Sequence, residues 1–372
     1  MALTRSQTSA IKYIASYAKK HKHEANETID HILRMSNINR QTFGEAINKL
    51  KANARVGLHF HPDRPDSSMI SVAESLLTQG TYKSQFETLL SNGLVSTLPG
   101  GSRDRWEKRI FGGAYQQEGT TNNERPKYGA LNLMLHPDGP SPRFGSCYFL
   151  LKPEVSVRCT YTYMDSHQDP FEKGTYEEFN MIVAALLEEI FTRDFAIGEK
   201  DLTPAKFIDH LLVNLEKPFP NPANQEPSRN LNHYIEAQVH GEISLKEDVE
   251  ILVADPSFKN TETGRVLEKL CDKYAIALQW HAGFALPVDE VPDDFRGPSM
   301  PSLASRVARN DLLTADLIGA AVMDLKRNPD SWSDRGTYHE VLQELKLLWH
   351  VLVKYGKPLR NYHLHDESNY GL

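Results

Sequence analysis

The segment LNHYIEAQVHGEISL, Leu231 to Leu245, puts an acid where strand alternation leaves little ordinary use for one. A two-residue period sets Tyr234, Glu236, Gln238 and His240 on one face and Ile235, Ala237 and Val239 on the other. A glutamate held there can hydrogen-bond a sugar hydroxyl and stabilise positive charge developing beside it. The bland alternative is an outward polar face.

A second candidate is VGLHFHPDR, Val56 to Arg64. His59 and His61, two apart on a strand, project to one side and share access to one ion. Further ligands would come from His240, His281, or His363, His365 and Asp366 in YHLHDES. With 15 histidines in the chain, chance spacing is common, and strand histidines bonded to their surroundings are the favoured reading. Arg64 follows Pro62 at the strand exit, where a planar fork of donors suits a phosphate or ribose; a surface ion pair is the alternative.

LPGGSRDRWEKRIFGGAY brackets Arg103, Asp104, Arg105, Glu107, Lys108 and Arg109 with two Gly-Gly pairs. It reads as a charged loop, hinged at both ends, able to lie over a cleft and bring Asp104 to a protein surface. It is neither a phosphate-binding loop of the GKS/T kind nor a dinucleotide fingerprint. Arg125 with Tyr128, and Arg143 with Phe144 and Ser146, sit at turns opening into strands, a pairing that fits phosphates and flat rings.

The elements that must carry these residues fall in three regions. Residues 1–54 read as amphipathic helices, with Asn37 or Asn39 capping the last. Residues 55–260 alternate short strands (RVGLHFH, GLVSTL, YGALNLML, GSCYFLLK, VRCTYTYM, YIEAQVHG, VEILVAD) with helical inserts. Residues 261–372 read as mostly helical and packed on the core. The expected class is α+β.

Composition narrows the function. A net charge of −7 with both signs mixed shows no nucleic-acid footprint. No apolar run has the length of a membrane span. Cys147, Cys159 and Cys271 have no paired spacing, which points to a reducing compartment and away from disulfides or cysteine-held zinc. The first residues lack the apolar stretch of a Sec signal peptide, leaving a cytoplasmic protein or an effector secreted by another route.

Taken in order, HFHPDR, YKSQFETLLSNG, PGGSRDRWEKRIFGGAY, RPKYGALNL, PRFGSCYFLLKPE and YIEAQVHG followed by DPSF resemble the bacterial CteC-type effector family, over about residues 55–258. These are mono-ADP-ribosyltransferases that modify a threonine of ubiquitin. The resemblance implies a split β-sandwich with NAD as the substrate in its cleft. It implies a role for Glu236, Arg64 and Asp104 in catalysis, and for Arg64, Phe86, Arg125, Tyr128 and Ser146 in holding NAD. Ubiquitin would be the partner, and the host cytoplasm the place of action. No metal is required. A metal-dependent hydrolase built on His59 and His61, and a non-catalytic interaction module with a degenerate transferase core, are the alternatives.

Overall fold

The computed structural model describes residues 2–89 and 96–362. The strand expected at GLVSTL falls half outside these residues, and His363, His365 and Asp366 lie wholly outside them.

The α+β class holds. Three helices come first, α1 (Arg5–Lys20), α2 (Lys22–Met35) and α3 (Arg40–Asn53), the last capped by the Asn39 side chain on the Gln41 amide. The central strands are β1 (Val56–Phe60), β2 (Lys127–Leu131), β3 (Cys147–Leu151), β4 (Cys159–Tyr163), β5 (Lys173–Thr175), β6 (Ile235–Val239), β7 (Val249–Ala254) and β8 (Ala277–Trp280). They form one sheet in the order β8-β7-β3-β1-β2-β6-β4-β5, antiparallel except for β7 and β8.

This sheet is forked. β1 pairs with β3 from Gly57 to Phe60, but with β2 only at Val56↔Leu131 and Gly57↔Ala130. Beyond those two pairs the strands part, so two four-stranded halves share one narrow seam. The seam is glycine-built. A Cβ on Gly129 would lie 2.5 Å from the Gly57 carbonyl oxygen, and one on Gly57 would strike the Pro140 ring at 2.8 Å.

The three expected regions do not have separate cores. One apolar cluster runs from Ala18 through the sheet to Val353. Helix α4 (Ser102–Ile110) is the segment expected to be a hinged loop. It buries Trp106 and Ile110 against Ala10 and Ile14 of α1, so the amino-terminal helices brace it. The glycines shape its ends: Gly112 has φ of +59°, and a Cβ there would overlap Tyr13. In the carboxyl-terminal region, Ala277–Trp280, expected to continue a helix, instead pairs in parallel with β7. Helix α5 (Tyr338–Tyr355) docks on the Pro142–Phe144 turn through Trp349 Nε1, which donates to the Pro142 carbonyl over 2.9 Å. Among the described residues no helix is long and apolar enough to cross a membrane.

Candidate functional site at the fork of the sheet

A cleft of about 250 Å³ opens where β1 and β2 diverge. Both halves line it: His59 and the Ser141–Phe144 segment on one side, Tyr128, Glu236 and Asp165 on the other, with Arg103 and Trp106 from α4 and Lys346 from α5. A second cleft of about 300 Å³ adjoins it across His59, Tyr82, Lys83 and Gln85, and Arg64 lines that one.

Glu236 is the buried acid of the site. Its register, Ala130↔Glu236↔Thr162, sets it one strand from the seam. It is 6% exposed, accepts from Gln238 Nε2 at 2.9 Å, and has the Ser166 amide at 3.4 Å. Behind it a polar ladder continues between β6 and β4. Thr160 Oγ1 donates to Gln238 Oε1 at 2.8 Å and lies 3.0 Å from His240 Nε2, whose other ring nitrogen meets the Tyr115 hydroxyl. The polar face of β6 is thus internal, and the ladder fixes the Glu236 rotamer. Burial, then the charge of Asp165, push the Glu236 carboxyl up to about 7.

Asp165 had no place among the sequence candidates. It follows β4, accepts from the His167 amide at 2.9 Å and the Tyr234 hydroxyl at 3.0 Å, and faces the cleft. Its signal was the Asp-Ser-His cap directly after a strand. The strand hydroxyls beside Glu236 also differ from expectation. They are Thr160 and Thr162 of Cys-Thr-Tyr-Thr-Tyr, readable as i, i+2 partners of the Glu236–Gln238 face. Ser146 lines neither cleft; its hydroxyl is buried without a partner, and its carbonyl lies 3.3 Å from His281 Nε2.

Arg125 and Asp104 are brought together, but beneath the cleft. Arg125 bonds Glu107 at 2.8 Å and Asp104 at 2.6 Å, and its guanidinium stacks 4.4 Å over the Phe86 ring. Asp104 also accepts from the Gly100 amide and from Gln116 Nε2, both at 2.9 Å. Burial opposes the Asp104 charge, yet these hydrogen bonds outweigh it and hold the carboxyl below its usual range. Burial pushes the Glu107 carboxyl up against the pull of Arg125, while Arg125 itself holds its proton more tightly than usual; the short contacts mark an ion pair. Asp104, Arg125 and Phe86 therefore form a brace. It reaches the cleft only through Tyr128, whose hydroxyl donates to Glu107 at 2.8 Å while its ring lines the wall.

The Arg103 guanidinium stacks 4.2 Å from the Trp106 ring and 5.3 Å from that of Tyr128, and makes no hydrogen bond or ion pair to described residues. Arg64 likewise makes no ion pair with a described residue, although the Asp63 charge lies close enough to act on it. The histidine pair divides its labour. Both ring nitrogens of His59 meet backbone, Gly145 O at 3.2 Å and the Ser141 amide at 3.3 Å, tying the Arg143 turn to β1. Burial drives the His59 pKa down to about 3. His61 packs edge-on against Trp349. His59 thus ties the fork together through backbone contacts at both ring nitrogens.

The family described as "Protein of unknown function (DUF3626)" matches residues 55–355. The chain belongs to the DUF3626 family. The match begins where the expected core begins but continues well past residue 260, so the DUF3626 unit includes most of the carboxyl-terminal helices, α5 among them. No curated protein matches the chain.

Proposed function

We propose that the forked cleft is the active site of a mono-ADP-ribosyltransferase of the CteC type, which moves ADP-ribose from NAD to a threonine of ubiquitin. The reading is carried by one observation: a buried, ladder-held Glu236 beside Asp165, in a cleft that also holds cations and an aromatic wall. An oxocarbenium-like transition state needs that carboxylate next to the ribose, and a phosphate-bearing donor needs those cations.

In the reaction the threonine oxygen forms a bond to C1′ as the glycosidic C1′–N bond breaks, and that electron pair leaves on nicotinamide. Glu236 bonds the ribose 2′-hydroxyl and stabilises the cation. Arg64 grips the diphosphate or its ribose from the adjoining cleft. Tyr128 and Trp106 flank the departing ring. The acceptor hydroxyl is a weak acid and needs a base. Asp165, which lines the cleft, takes that role in place of Asp104, whose oxygens are committed to Arg125, Gln116 and Gly100. Blocked ubiquitin in a host cytoplasm is the physiological outcome the resemblance suggests.

Incubation with NAD and ubiquitin, followed by intact mass measurement and electron-transfer fragmentation, tests the proposal. One ADP-ribose on a ubiquitin threonine is expected. Label on arginine or glutamate, or unmodified ubiquitin, overturns the acceptor assignment.

A further inference from the structure

Four basic side chains crowd together where α5 meets the mouth of the sheet. Arg143 and Lys346 line the cleft, and Arg296 and His350 lie within electrostatic reach of both. Lys346 and His350 are four residues apart and share one helical face. Trp349, between them, anchors that helix on the turn carrying Arg143. Arg296 comes from a loop in which it holds the left-handed backbone, φ +67°, uncommon for an arginine.

Arg143, Arg296 and His350 each carry buried polar atoms with no partner among the described residues. His350 is 1% exposed, yet neither ring nitrogen has a hydrogen-bond partner. The Arg143 backbone lies near that ring without completing a bond of normal geometry. Arg143 Nε and Arg296 Nε are also buried without acceptors, and neither arginine has an ion pair with a described residue. Among the described residues, only Asn232 Oδ1 takes a bond from the Arg143 guanidinium, at 3.0 Å. Burial and the neighbouring charges of Arg143 and Arg64 push the Lys346 pKa down to about 8, the mark of like charges held close. Native proteins rarely leave several buried donors unmet at one place.

We propose that Arg143, Arg296, Lys346 and His350 form a phosphate-binding subsite, contributed largely by the carboxyl-terminal helices and opening into the cleft that holds Glu236. A phosphate supplies acceptor oxygens for the unmet donors of Arg143 and Arg296, and guanidinium forks fit its geometry. The proposed NAD reading supplies only the carrier of that phosphate; the anion site stands without it.

The test measures ligand-induced thermal stabilisation and titration calorimetry of the full chain with inorganic pyrophosphate and with ADP-ribose. Arg143→Gln, Arg296→Gln and Lys346→Gln are compared with wild type and with the remote control Arg265→Gln. Stabilisation of wild type and the control by either ligand is expected, with affinity reduced about tenfold or more in each cluster variant. The unliganded cluster variants should melt no lower than wild type; if one fails to fold, the other two carry the comparison. Wild type stabilised by neither ligand, or cluster variants that bind as tightly as wild type, overturns the subsite. NAD cleavage without such anion binding removes the subsite and leaves the transferase. Anion binding without NAD cleavage does the reverse.

Discussion

Arginines around the fork of the sheet have opposite surroundings. Beneath the cleft, Arg125 spends its guanidinium on Glu107 and Asp104 and rests on Phe86. Elsewhere, Arg64 in the adjoining cleft and Arg143 and Arg296 beside α5 have no ion pair with any described residue, and Arg143 and Arg296 each hide an unmatched Nε. Arg64, Arg125 and Arg143 follow the same sequence logic of arginine near a strand end. What separates them is whether the fold brings a carboxylate to meet them. A matched arginine belongs to the scaffold, and an unmatched one is available to a ligand.

The sharpest break in that comparison is stability. Arg125→Ala leaves Glu107, fully buried, and Asp104 without their counter-charge, so chemical denaturation should show a loss of about 3–5 kcal/mol. Arg143→Ala should fall within about 0.5 kcal/mol of wild type, or above it. Equal losses for the two would erase the distinction between the groups.

Next in size is turnover. Glu236→Gln keeps the shape of the polar ladder and removes the charge that the proposed transition state needs. NAD cleavage should drop about 10²–10³-fold with little change in ADP-ribose binding. A proportional loss of binding would make Glu236 a scaffold residue like Glu107.

A smaller effect is the pH response. Glu236 holds its proton more tightly folded than unfolded, because burial and Asp165 raise its pKa from near 4.5 to about 7. Its contribution to stability is therefore present below about 4.5 and lost as pH rises through about 7. Melting curves at pH 5 and pH 8 should differ less for Glu236→Gln than for wild type. In the proposed reaction the ionised form acts, so turnover should rise with pH through about 7. Asp165→Ala should move that limb to lower pH, besides slowing proton removal from the acceptor. A limb that stays in place would dissociate the two carboxylates.

The smallest expected change is in selectivity. Asp104→Asn should lower thermal stability modestly and reduce NAD cleavage and acceptor labelling together, as loosening a brace would. Loss of ubiquitin labelling alone, with NAD cleavage intact, would return Asp104 to the acceptor face.

Local pattern exposed much of this architecture. The strands around His59, Tyr128, Tyr148, Tyr161, Glu236 and Leu252 were legible from alternation and turn residues, as were the three leading helices and the Asn39 cap. Glu236 stood out because an acid amid apolar alternation is expensive to bury. Other features depend on distant partners. Gly-Gly pairs around α4 look like hinges until Ala10 and Ile14 are found packing its Trp106 and Ile110. Ala277–Trp280 looks helical until β7 offers an edge. Arg125 and Arg64 are indistinguishable until Glu107 and Asp104 come to one of them. Lys346 lies more than 100 residues from Glu236 in the chain, and only the docking of α5 through Trp349 makes them neighbours of one cleft.

The central claim is that the unmatched cations and Glu236 together make a site that cleaves the glycosidic bond of NAD. Single-turnover release of nicotinamide, followed with excess enzyme and ubiquitin, tests it most directly. The account predicts release by wild type, release slowed at least 10²-fold in Glu236→Gln, and weakened NAD saturation in Arg143→Gln. NAD left intact by wild type, or cleaved at the same rate by Glu236→Gln, would contradict it.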